Sequence, residues 1–152
     1  MKFPEVKGKN LEKQTFRLPQ DLEGELNILI VPFQRWHQQL VNTWTFFLNT
    51  LVEDNPSLEY YELPTISKGY KAVSFMIDGG MRAGILDKKT RHRTITLYIN
   101  KKTFKEQLKI PNEDTIYLFL VTKDGDVLWR AEGAFSSEKA DELEAIISEN
   151  LA

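Results

Sequence analysis

Apolar and polar positions change period several times along this chain, and each change marks an element. Gln14-Thr15-Phe16-Arg17-Leu18 alternates polar with apolar, as a strand with one solvated face does. Phe3-Pro4, Gly8, Asn10, Pro19 and Gly24 punctuate residues 3–25 around it, which predicts a small β-hairpin ahead of the main fold. Residues 26–33 form a continuous apolar run broken only by Asn27, the pattern of a parallel strand covered on both faces. Trp36, Leu40, Val41, Trp44, Phe47, Leu48, Leu51 and Val52 then step by one, three or four, which predicts a helix over about 35–53. Asn55-Pro56 ends it. Leu58 to Leu63, closed by Pro64, is a second strand. Tyr70 to Met76 is expected to be helical toward Asp78, with Gly79-Gly80 as a stop or sharp turn. Thr94 to Ile99 is β-branched and strand-like, and Lys102 to Leu108 a short helix before Pro111. Thr115–Thr122 and Val127–Glu132 flank Lys123-Asp124-Gly125-Asp126, an Asp-Gly hairpin. Ser136 or Ser137 can cap a last helix whose stripe is Leu143, Ile146, Ile147 and Leu151.

The predicted order is hairpin, β, α, β, α, β, α, hairpin, α. Its strand–helix–strand start is a βαβ unit. With 152 residues the chain fits one domain, read as 1–152 with 1–25 as a hairpin extension. A chain of this length buries roughly 68–70% of its unfolded surface and needs no staples. The net charge of −2 gives no global pull toward nucleic acid or anionic lipid. No apolar run reaches the ~20 residues that would make an integral membrane segment. Met1-Lys2-Phe3-Pro4-Glu5 has no apolar signal core, so a cytoplasmic protein, or a mature form, is expected. With no Cys and two His, neither thiol chemistry nor a metal site is supported, and no cofactor is expected. No glycine-flanked Ser, zinc-type His pair or P-loop occurs.

A βαβ half followed by a ββα half is the arrangement of the thioredoxin fold. Phe3-Pro4-Glu5-Val6, continuing through Asn10-Leu11-Glu12 to Leu18-Pro19, resembles the opening of its peroxiredoxin and thiol-antioxidant branch. Phe119 to Arg130, followed by Glu132-Gly133, resembles the C-terminal hairpin of that superfamily. The resemblance implies an α/β fold, a thioredoxin-like three-layer α/β/α sandwich with a mixed central sheet and an N-terminal β-hairpin extension. Two further stretches resemble the cysteine-free mitochondrial ATP synthase assembly factor family and its prokaryotic relatives. One is Gln34-Arg35-Trp36 with Val41-Asn42-Thr43-Trp44; the other is Ile77 to Ile85 followed by Thr94-Ile95-Thr96. This implies a role in maturing the membrane sector of the ATP synthase, with another protein or peptide as partner. By alignment through Trp36, His37 stands near the attacking Cys and Leu40 near the second thiol. The cis-Pro of redox thioredoxins is replaced by Asp114-Thr115-Ile116. Losing all three points to a lineage doing different work.

His37 lies at a helix start, where backbone donors and the dipole can hold an anion and lower an imidazole pKa. It reads as a base or ligand contact, or as a solvent-exposed histidine. In Asp78-Gly79-Gly80-Met81-Arg82-Ala83-Gly84, either the glycines admit a partner to which Arg82 offers its fork, or Gly79-Gly80 ends a helix and Asp78 pairs with Arg82 or caps the next turn. Lys88-Lys89-Thr90-Arg91-His92-Arg93 steers phosphate or acidic partners, or is a solvated loop; it lacks the interleaved aromatics that RNA binding wants. Trp44 is expected in the core and Trp36 at a partly exposed contact. The expected binding surface is therefore Gln34, Arg35, Trp36 and His37, with Asp78 and Arg82 from the glycine segment. One function is a redox-inactive, protein-binding assembly or chaperone factor. The alternative is a non-thiol enzyme or small-anion-binding protein using His37 with Arg35 or Arg82. A homodimer is a third possibility.

Overall fold

The computed structural model describes residues 1–151. An antiparallel hairpin of β1 (Val6–Asn10) and β2 (Thr15–Leu18) opens the chain. Next come β3 (Leu26–Val31), a 3₁₀ turn (Arg35–His37) and α1 (Gln38–Asp54). The middle contains β4 (Leu58–Glu62), β5 (Thr65–Ser67), a 3₁₀ stretch (Lys68–Val73), α2 (Ser74–Gly84) and α3 (Lys88–Arg93). β6 (Ile95–Ile99), α4 (Lys101–Gln107), β7 (Tyr117–Thr122), β8 (Val127–Glu132) and α5 (Ser137–Asn150) complete it.

The strands form two mixed sheets, ordered β4-β3-β7-β8 and β2-β1-β6-β5. β3 runs parallel to β4 and antiparallel to β7. Lying between two neighbours, it alternates side chains to two covered faces, which is why all six of its residues are buried. Ile28 and Ile30 meet Val41, Trp44 and Leu48 of α1 and Leu143 and Ile147 of α5. Leu29 and Val31 point the other way, to Phe16 and Leu18 of the hairpin, Leu97 of β6 and Phe104 of α4. One face of the central sheet is thus covered by two helices, the other by the second sheet and α4. Two glycines are demanded by geometry. Gly125 closes the β7–β8 turn at φ +92°, and a Cβ on Gly8 would sit 2.5 Å from the Thr96 carbonyl where β1 meets β6. Ser136 caps α5 by accepting from the Lys139 N–H at 3.3 Å.

Two expectations need correction, and one strand is not foreseen in the sequence pattern. α2 does not stop at Gly79-Gly80 but runs through to Gly84. Each glycine costs about 1 kcal/mol in a helix, and anchors on both sides offset this: Asp78 is held by Tyr98, and Arg82 by Leu11 and Glu12. The basic run 88–93 is a helix, not a loop, because Asp87 caps it, accepting from the Thr90 N–H at 3.1 Å and hydroxyl at 2.7 Å. β5 has only three residues, too short to show alternation; its pairing with β6 creates it. No helix among the described residues is long and apolar enough to cross a membrane.

Candidate functional site

The end of β3 and the loop before β7 lie side by side. Val31 pairs with Tyr117 in the ladder, and the rings of Phe33 and Tyr117 meet edge to face at 6.4 Å. Gln34 Nε2 donates to the Glu113 carbonyl at 2.7 Å, tying the mouth of α1 to that loop. The Glu113 carboxylate is gripped by Lys101 Nζ at 2.8 Å and Lys105 Nζ at 2.7 Å. Burial pushes this carboxyl up, but the two ammonium groups outweigh it and hold the pKa below the usual value. Sequence reading missed Glu113. The i, i+4 spacing of Lys101 and Lys105 signalled that one anion could bridge them.

His37 is fully buried, against the expectation of a solvent-exposed residue. The 3₁₀ turn folds its ring back over the chain, where Nδ1 accepts from the N–H groups of Phe33 at 3.0 Å and Gln34 at 3.3 Å. Nδ1 is therefore unprotonated and the neutral ring carries its proton on Nε2, which makes no hydrogen bond. Burial lowers the His37 pKa; the Asp114 backbone and the Glu113 and Asp114 carboxylates pull less strongly the other way. Trp36 closes over it edge to face at 4.6 Å while remaining 48% exposed. Gln34, Arg35 and Trp36 form the solvent face of the mouth, with His37 as its floor. Trp44 lies beneath, fully buried, its Nε1–H donating to the Gly133 carbonyl at 3.0 Å.

Asp78 and Arg82 are not part of this surface, nor do they pair with each other. Asp78 Oδ1 accepts from the Tyr98 hydroxyl at 2.7 Å. Arg82 Nη1 donates to the Leu11 carbonyl at 2.9 Å and lies 3.2 Å from Glu12. Leu11 bonds to Thr94, at the start of β6, whereas the mouth adjoins Lys101, just beyond the end of β6. Arg82 and His37 are thus separated by about a strand's length, so the joint anion site expected of His37 with Arg82 does not form. His37, sealed from solvent, also cannot touch a ligand as it stands. Two of the surface clefts among the described residues lie around Glu5, Lys7 and Arg17 and around Glu23, Glu59, Lys88 and His92; neither includes His37. Much of the basic run is already engaged: Arg93 stacks over Tyr60 at 3.9 Å, Arg91 lies 3.6 Å from Glu12, and His92 meets Glu23 at 2.8 Å.

The profile of the ATP10 protein family matches residues 1–149. No curated protein matches the chain. Among solved structures, BsSco, described as a member of the Sco family of cytochrome c oxidase assembly proteins, is similar with a TM-score of 0.66 at 14% identity, over 99% of this chain and 95% of that one. The pneumococcal exposed lipoprotein thioredoxin Etrx1 from Streptococcus pneumoniae gives 0.57 at 15% identity, over 95% and 99%. A thioredoxin-like protein from Aeropyrum pernix gives 0.56 at 15% identity, over 95% and 89%. These likenesses establish the thioredoxin-like fold.

Proposed function

The chain belongs to the ATP10 protein family, and on that premise we propose that it is a redox-inactive thioredoxin-like protein that binds another protein as an assembly factor for the ATP synthase. One observation carries the reading. Near the place where the resemblance sets the reactive thiol, this chain has a buried imidazole under an exposed Trp36, and it contains no cysteine at all. Thiol exchange needs an accessible thiolate. What the mouth offers instead is a recognition surface: a large aromatic ring flanked by the Gln34 amide and the Arg35 guanidinium. Side chains of this kind anchor protein interfaces because they bury much area for few rotatable bonds.

The test is affinity capture from native extract. The tagged chain recovers ATP synthase subunits, and Trp36→Ala loses them while still melting cooperatively at a moderately lower temperature, since half of the ring packs over His37. Failure to recover those subunits overturns the assembly role. Normal recovery by Trp36→Ala overturns the surface assignment.

A further inference from the structure

Helix α2 is amphipathic in the reverse sense to an ordinary surface helix. Its charged side chains, Asp78 and Arg82, turn inward and bond to Tyr98, Leu11 and Glu12. Its outward side consists of Phe75, Met76, Gly79, Gly80, Ala83 and Gly84, without a charge or a side-chain hydrogen-bonding group. No residue of α2 is buried. Phe75 is 74% exposed and Met76 64%, and the face continues into Tyr70 before the helix and Leu86, 86% exposed, after it. A Cβ on Gly79, Gly80 or Gly84 would meet nothing within 4 Å, so packing within the chain does not ask for small residues there. An exposed apolar face of this extent marks a surface that something else covers.

Charge identifies what covers it. Exposed Lys68 and Lys71 precede the helix, and exposed Lys88 and Lys89 follow it. Residues 68–93 hold seven Lys or Arg against two Asp or Glu; Arg82 and Arg91 face Glu12 and Arg93 lies over Tyr60, which leaves the four exposed lysines to set the charge beside the face. Both acids are already engaged, Asp78 with Tyr98 and Asp87 as the cap of α3. The modest total charge conceals this segregation, and with it an attraction that the overall balance does not predict. A second copy docked face to face would bring two sets of four exposed lysines together, which Coulomb repulsion opposes.

We propose that this face lies on an anionic lipid bilayer, with α2 parallel to the surface. Phe75, Met76 and Leu86 enter the headgroup–acyl boundary, and the lysines at both ends meet lipid phosphates. At 11 residues α2 is far too short to span a bilayer, but it suits this interfacial placement. The inference stands whether or not the mouth of α1 binds a protein.

Co-sedimentation with vesicles of equal parts phosphatidylglycerol and phosphatidylcholine, against pure phosphatidylcholine, tests it. The chain partitions to the anionic vesicles, less so as salt rises, and leaves the neutral ones. Phe75→Ser combined with Leu86→Ser weakens partitioning by about tenfold or more. Lys68→Glu, Lys71→Glu, Lys88→Glu and Lys89→Glu together weaken it by about a hundredfold or more. All these side chains are exposed, so thermal melts should match wild type and show that the variants fold. Wild-type chain that ignores anionic vesicles, as it would if a soluble protein covered the face, overturns the proposal. So does equal binding to neutral vesicles, or normal binding by the Phe75/Leu86 variant. Concentration-dependent dimerisation in sedimentation velocity, abolished by that variant, would assign the face to a second copy and refute the lipid.

Discussion

Replacing His37 by Asn tests the account of the sealed mouth. In the folded chain Nδ1 accepts two backbone N–H groups, so protonating the ring there would strip both of their acceptor. Burial, the largest influence, already lowers the His37 pKa from 6.5. The unfolded chain therefore takes up the proton at a higher pH than the folded one. Stability from this residue is fully present above pH 6.5 and is lost as pH falls through the folded value. One proton changes stability by at most about 1.4 kcal/mol per pH unit, so the loss down to about pH 5 is bounded at about 2 kcal/mol. Urea unfolding at a series of pH values measures it. The Asn amide oxygen offers an acceptor for the same N–H groups but does not titrate. Glu59 and Glu62 titrate in both proteins and drop out of the difference. Wild type should lose stability relative to His37→Asn on acidification below pH 6.5 and hold it constant above. Parallel curves across that range would mean that the ring is solvated or differently bonded, and the description of the mouth would fail.

Glu62 carries the opposite sign. It is 6% exposed, and burial raises its pKa above 4.5 against the pull of the nearby Arg93 guanidinium. Its folded state holds the proton more tightly, so stability is lost as pH rises through the folded value. Glu62→Gln should therefore raise the melting temperature at neutral pH, with the gain vanishing below pH 4.5; a pH-independent change would contradict this. Arg82→Gln should cost about 1 kcal/mol or less in urea unfolding, because the side chain is 41% exposed and solvent screens its pairing with Glu12. If Arg82 instead belonged to the partner-binding surface, capture of the partner would fall with no change in stability.

The sequence reveals an element where its pattern is local. β3 is legible because a strand covered on both faces leaves an unbroken apolar run, and the β7–β8 turn because Gly125 alone tolerates its φ. Ser136 reads as a cap from its place before the last apolar stripe. What is illegible depends on residues far along the chain. His37 at a helix start reads as solvated, yet the Trp36 ring and the 112–116 loop bury it. Gly79-Gly80 reads as a stop, yet Tyr98 and Leu11 pin the helix on either side. Asp78 and Arg82 look like an i, i+4 pair, and each finds a better partner across the fold. The site was legible in part: Gln34, Arg35 and Trp36 do share one exposed surface, while the glycine segment proposed to join them belongs to another.

The floor of the mouth also bears on how such a protein could change over generations. His37→Cys would put sulfur near the place where the resemblance sets the attacking thiol, but at a position with no solvent exposure. A thiol sealed there meets no disulfide, even though the Phe33 and Gln34 N–H groups would favour its thiolate. To regain exchange, the overlying indole would have to swing aside and the Gln34 tether to Glu113 would have to break. Since no single substitution does all of this, a thiol gained at position 37 would remain a packed core group and not an exchange centre.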